Sequence, residues 1–208
     1  DVLLCFYEII TGARLSPGGG QKYLDIYADL ATYGKAFGGG LPIGAISGRP
    51  DVMRTVREGS RDNPRSIFMG GTFSANPLSM AAGMAMMTEL KNGGPDLYQA
   101  LNGKGESLRA RVNEFIDANG IKAHMIGIGS MSRIIFTDQP VRSRHQRDQL
   151  EWDYGEQGAF FKRVLEQGVH VASNKILFLS TAHTDLMLEE LTKVLTTTLL
   201  EFKEKGVL

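Results

Sequence analysis

The sequence predicts an α/β layer followed by a smaller α+β unit. Three observations lead there. Val2–Ile10 is an almost unbroken apolar run, as in a strand covered on both faces. Short strand candidates then alternate with helical segments up to "NGGPD" (92–96), whose Gly and Pro make the best internal boundary. Beyond it the order changes to a long helix, a strand pair and further helices. Two domains are therefore expected, 1–92 and 93–208.

Taken in order, Val2–Ile10 is the first strand. The chain opens directly in it with no starting Met, so it is expected to be part of something longer. "TGARLSPGGGQ" reads as a loop. Leu30–Tyr33 and Ile43–Ser47 are strands, and "RPDVMRTV" is a short helix with Pro50 near its start. "SRDNPRS" is a polar loop. A helix follows over Asn76–Leu90, with Asn76 as cap and Pro77 at the first position. Met80, Met84 and Met87 have helical spacing and are expected in the core. A second helix covers Leu97–Asn119 and stops at Gly120. Strands at Ala123–Ile128 and Ser132–Phe136 precede a polar insert, "TDQPVRSRHQRDQ". A helix over Tyr154–Gln167, strands at His170–Ala172 and Ile176–Leu179, and a last helix over Asp185–Lys205 complete the chain.

Composition narrows the function. The 23 basic residues balance the 23 acidic ones, so no field favours nucleic acid or an anionic membrane. No apolar run reaches the roughly 18 residues of a membrane span. The single cysteine, Cys5, cannot form an internal disulfide, and a reducing, cytoplasmic setting is expected. His124, His145, His170 and His183 lack metal-ligand spacing and read as structural or surface residues. "VRSRHQR" (141–147) has no interleaved aromatics and reads as a solvated loop. Gly34-Lys35 lacks the upstream glycine and following hydroxyl of a phosphate-binding P-loop.

Three constellations carry chemistry. Lys35 stands between two strand candidates and just before Gly38, Gly39, Gly40 and Pro42. A solvated loop lysine is one reading. The other is a nucleophile: glycine turns let a bound molecule approach the backbone, and a desolvated amine can form a Schiff base with an aldehyde. In "MGGTFSANPLSMAAG", Gly70 and Gly71 precede the Thr72 hydroxyl and a helix start. That is an anion site or a tight turn into a capped helix. In "LLCFYEIITGAR", strand alternation turns Tyr7 and Glu8 to opposite faces. Thr11, Gly12 and Arg14 fall at the strand's C-terminal edge, where open α/β sheets bind ligands.

Together, "YEIITGARLSPGGGQ", "DLATYGKAFGGGLPIGAISG", "GGTFSANPLSMAAG" and "FLSTAHT" resemble the class III, fold-type I family of pyridoxal-phosphate enzymes. The likeness extends to its glutamate-1-semialdehyde 2,1-aminomutases and related aminotransferases and covers nearly the whole chain. It implies part of a large cofactor domain, with a mostly parallel sheet flanked by helices, and then a small α+β domain. It implies pyridoxal 5'-phosphate as cofactor and Lys35 as the lysine that carries it and shuttles protons. It implies that Gly71 and Thr72 bind the cofactor phosphate of the other subunit, hence a homodimer with shared active sites and a small amino/oxo substrate.

Two departures stand out. Where the family reads Phe-Asp-Glu, this chain has Phe6-Tyr7-Glu8, so Tyr7 occupies the place of the carboxylate that pairs with the cofactor's ring nitrogen. A phenol is neutral near pH 7 and supplies no such charge. Family members are also about twice as long by resemblance, and another chain could carry the missing N-terminal half. The reading is therefore an aminotransferase or aminomutase working through Lys35. A non-catalytic, dimerising half-domain is the competing one.

Overall fold

A computed structural model describes residues 2–57, 67, 69–151, 154–172 and 175–208. The expected polar loop "SRDNPRS" lies outside them. The chain divides into two compact units, 1–99 and 100–208.

The first unit holds a three-stranded sheet in the order β1 (Cys5–Tyr7), β2 (Leu30–Gly34), β3 (Gly44–Gly48). β1 runs parallel to β2, with Tyr7 opposite Thr32. β3 runs antiparallel to β2, with Ile46 opposite Thr32. The architecture is mixed α/β, as expected. The first strand is shorter than its apolar run: Gly12 N–H donates to Glu8 O at 2.8 Å and folds the chain into turns after Glu8. Nor is it covered on both faces, since Val2 is 95% and Tyr7 73% exposed. The loop "TGARLSPGGGQ" contains a helix, α1 (Gly19–Leu24). Helix α2 (Pro50–Arg57) forms as expected.

Helix α3 spans Pro77–Ala118, broken by one non-helical residue, Gly94 (φ 54, ψ −154). A side chain resists that backbone, and Pro95 has no N–H to continue the ladder, so "NGGPD" interrupts the helix without ending it. Asn76 Oδ1 accepts from Leu78 N–H (3.1 Å) and Ser79 N–H (3.2 Å), which makes it the expected cap. The methionine expectation fails for Met80 and Met84, while Met87 is half-buried. Met84 is 72% exposed and Met80 is exposed too, while Ser79 and Gly83 turn inward. The side packed within the unit is the one whose small residues admit a close neighbour: a Cβ on Gly83 would lie 3.3 Å from Phe37 O.

The second unit pairs β4 (His124–Ile128), β5 (Met131–Ile135) and β6 (Leu177–Phe178), all antiparallel. Helices α5 (Tyr154–Glu166) and α6 (Asp185–Glu204) contribute to its core. On α6, Leu188, Leu191, Leu195, Leu199 and Phe202 recur at helical spacing and are buried. Phe136, Phe160, Val164 and Leu195 are at most 1% exposed. The "VRSRHQR" loop is corrected by α4 (Arg144–Leu150). Ser143 Oγ caps it by accepting from Gln146 N–H, and Arg144–Asp148 and Arg147–Glu151 are i,i+4 ion pairs. Residues 170–172 form no strand; Ala172 O instead accepts from Lys175 N–H at 2.7 Å.

Candidate active site

Parallel pairing brings the C-terminal ends of β1 and β2 to one edge of the sheet. Tyr7 is the last residue of β1, and Lys35 directly follows Gly34, the last of β2. Two of the sequence-derived candidates thus meet at the edge where open α/β sheets bind ligands. Lys35 opens a 3-10 turn, Lys35–Gly38, with φ 51. A non-glycine residue there is strained, a condition that clusters at functional sites. The turn is backed by α3: a Cβ on Gly39 would fall 2.6 Å from Ala82 O, so only glycine fits. The Lys35 side chain is exposed, so the desolvation expected from the sequence does not come from this unit's own residues.

The two faces of β1 differ sharply. Tyr7 is 73% exposed and Glu8 is 1% exposed, as strand alternation requires. On the Tyr7 face, Thr32 and Ile46 continue the row across the sheet. Among the described residues, the buried Thr32 Oγ1 has no hydrogen-bond partner. On the other face, Glu8 accepts from Gly20 N–H (2.9 Å), Gln21 N–H (2.8 Å) and the Thr11 hydroxyl. Arg14 sits half-buried in the following loop, and desolvation lowers its pKa.

Gly71 and Thr72 lie in an exposed turn before α3, closed by Ser74 N–H donating to Gly71 O at 2.9 Å. Their N–H and hydroxyl are open to an anion. Nothing in the chain joins them to Tyr7 or Lys35 by a hydrogen bond among the described residues. Sequence reasoning missed Thr32, Gln21 and Tyr33. Alternation along β2 is visible in the sequence, but the register that sets Thr32 beside Tyr7 is not. The histidines are engaged locally: His124 Nδ1 lies 2.8 Å from Thr137 O, and His183 Nδ1 accepts from Ser180 N–H at 3.0 Å. No group of His, Cys, Asp or Glu among the described residues could hold a metal ion.

The donor set fits pyridoxal phosphate in kind: an accessible amine on a glycine turn for an aldehyde, spare hydroxyl and N–H groups for polar atoms, and an open sheet edge.

The fold is that of an α/β protein with a lysine turn at the edge of its sheet. The class-III aminotransferase family matches residues 1–195, and the chain belongs to it. This is a family of pyridoxal-phosphate enzymes. The chain is 40% identical over 184 residues to glutamate-1-semialdehyde 2,1-aminomutase 2 of Lachnoclostridium phytofermentans, covering 88% of this chain and 41% of that one. It is 36% identical to the glutamate-1-semialdehyde 2,1-aminomutase of Alkaliphilus oremlandii, covering 98% and 45%. Among solved structures, the β-phenylalanine aminotransferase of Variovorax paradoxus superposes with a TM-score of 0.82 at 31% identity, covering 98% of this chain and 45% of that one. The omega-transaminase of Sphaerobacter thermophilus gives 0.84 at 28% identity, covering 97% and 45%. The chain spans less than half the length of each of these relatives.

Proposed function

We propose that the chain is the C-terminal part of a pyridoxal-phosphate-dependent aminotransferase or aminomutase acting on a small amino/oxo substrate. The observation that carries this is Lys35 on its strained glycine turn, sharing a sheet edge with Tyr7, in a chain of the class-III family. In this reading residues 1–92 belong to the cofactor domain and 93–208 to the small domain. The relatives include both mutases and transaminases, which supports the amino/oxo class and no single substrate.

The cofactor, when bound, supplies an aldehyde and an electron-withdrawing ring. Lys35 is the residue that bonds to it. Lys35 Nζ would hold and move the proton at the substrate α-carbon, as base and then acid. Gly71 N–H and the Thr72 hydroxyl would hold the cofactor phosphate of a second subunit, so the reading includes a homodimer with shared sites. Tyr7 would stand where the family's carboxylate meets the cofactor's ring nitrogen. A chain bearing the remaining N-terminal half is a further partner in this reading. A cytoplasmic setting, argued from the lone cysteine, belongs to it as well. No helix among the described residues is long and apolar enough to cross a membrane.

Tyr7 favours a second reading, an impaired or non-catalytic half-domain. Tyr7→Asp separates the two. Under the first, the variant with pyridoxal phosphate gains amino-transfer activity, on the order of tenfold or more, because the ring nitrogen gains a charged partner. Unchanged activity would support the second.

A further inference from the structure

The glycines around β1 pose a question that the proposed reaction leaves unanswered. A Cβ on Gly19 would lie 2.9 Å from Glu8 Oε2, and one on Gly20 would lie 3.2 Å from the same oxygen. A Cβ on Gly12 would lie 2.5 Å from Glu8 O and 2.7 Å from Tyr33 Cδ1. The Glu8 carboxylate thus crowds Gly19 and Gly20, and the Glu8 carbonyl and the Tyr33 ring crowd Gly12; both side chains point away from the Tyr7 face. Phe6 lies opposite Ala31, so two residues further along each strand Glu8 and Tyr33 stand on one face.

Gln21 connects them. Its N–H donates to Glu8 Oε1 at 2.8 Å, its Nε2 donates to the Tyr33 hydroxyl at 3.0 Å, and its Oε1 accepts from Ala28 N–H at 2.9 Å. Tyr33 in turn stacks on Phe37, with ring centroids 5.6 Å apart and 29° between planes. Tyr33 and Phe37 flank Lys35 by two residues on either side. A continuous path thus runs from the residue after Tyr7 to both sides of the Lys35 turn.

We propose that Glu8, Gln21 and Tyr33 form a positioning relay that fixes the Lys35 turn relative to the end of β1. Glu8 accepts from Gly20 N–H, Gln21 N–H and the Thr11 hydroxyl. It is a buried carboxylate filled with donors, and such a group is costly to leave unpaired. Gln21 joins the two ends, its backbone N–H on Glu8 and its side chain on Tyr33, so losing it uncouples them. The inference rests on Lys35 being the reactive amine, as proposed above.

The whole chain serves as the test protein, compared with Glu8→Gln, Gln21→Ala and Tyr33→Phe. Amide hydrogen exchange reports the turn. Borohydride reduction with pyridoxal phosphate, followed by mass spectrometry, reports the share of label on Lys35 against all other lysines. Glu8→Gln and Gln21→Ala are expected to speed exchange across 33–41 by about tenfold, with amides of α5 and α6 unchanged. The Lys35 share should fall by about tenfold as the amine loses its fixed presentation. Tyr33→Phe keeps the stacked ring and should show a smaller change in both. It also keeps the test open if a larger change prevents folding. Faster exchange confined to 8–21, with 33–41 and the Lys35 share unmoved, would overturn the relay. Hydrogen exchange needs no cofactor, so the two failures separate. A parent chain that takes no Lys35 label while its variants loosen 33–41 supports the relay and sinks the aminotransfer reading.

Discussion

The second unit is built around side chains and the first around backbone. In residues 100–208, Phe136, Phe160, Val164, Leu195 and Leu199 are at most 1% exposed, and Phe160 meets Phe136, Phe161 and Phe202 edge to face. In residues 1–99, the buried apolar side chains among those described are Ala13, Leu15, Ala31 and Tyr98, while Phe73, Met84 and Leu78 are exposed. The first unit is held instead by Glu8, Gln21 and glycines that let backbone approach backbone. A patch of large exposed apolar groups marks an interaction surface. Under the proposed assembly, a second subunit or the remainder of the cofactor domain covers it.

That contrast can be broken by mutation. Phe160→Ala should cost about 3–5 kcal/mol in chemical denaturation, the usual cost of emptying an aromatic core site. Phe73→Ser should change stability by less than about 0.5 kcal/mol, because it removes no buried contact. Equal losses from both would erase the difference between the units. Asn76→Ala strips the α3 cap from two N–H groups and should cost about 1 kcal/mol. Tyr98→Phe, which removes a hydroxyl donating to Ala13 O at 3.2 Å, should cost a comparable amount, roughly 1 kcal/mol.

The smallest effect is on the second unit's surface. Arg163 forks onto Glu201 at 2.8 and 2.9 Å, and this pairing lowers the Glu201 pKa and raises that of Arg163. A carboxyl held below its unfolded value adds stability that is present above the ordinary glutamate pKa. The gain is lost as pH falls through the lowered folded value. Glu201→Gln should therefore lower the melting temperature slightly at pH 7 and not at all in strong acid. High salt should shrink the difference as well, since both groups are partly exposed.

Legibility in the sequence followed the same divide. The α6 helix was readable from Leu188 to Phe202 because a core-facing helix repeats its apolar residues at a fixed spacing. α4 was hidden because its signals are a cap at Ser143 and ion pairs, in a stretch without apolar period. α1 was hidden because glycines that normally mark a loop are here demanded by the Glu8 carboxylate. At the site, Lys35 and Tyr7 stood out by type and context. Thr32, Gln21 and Tyr33 did not, because their meaning depends on strand register and on a bond between residues twelve apart in sequence. Register is a product of the folded sheet. The exposed methionines of α3 show the opposite error: helical spacing reveals a face and not what covers it.

The central claim is that Lys35 is a reactive amine at the edge of a cofactor sheet. The most direct test treats the purified chain with pyridoxal phosphate, reduces it with borohydride and maps the label by mass spectrometry. Label concentrated on Lys35, and absent in Lys35→Ala, is the predicted result. No label, or label scattered over surface lysines and unchanged in Lys35→Ala, would contradict it.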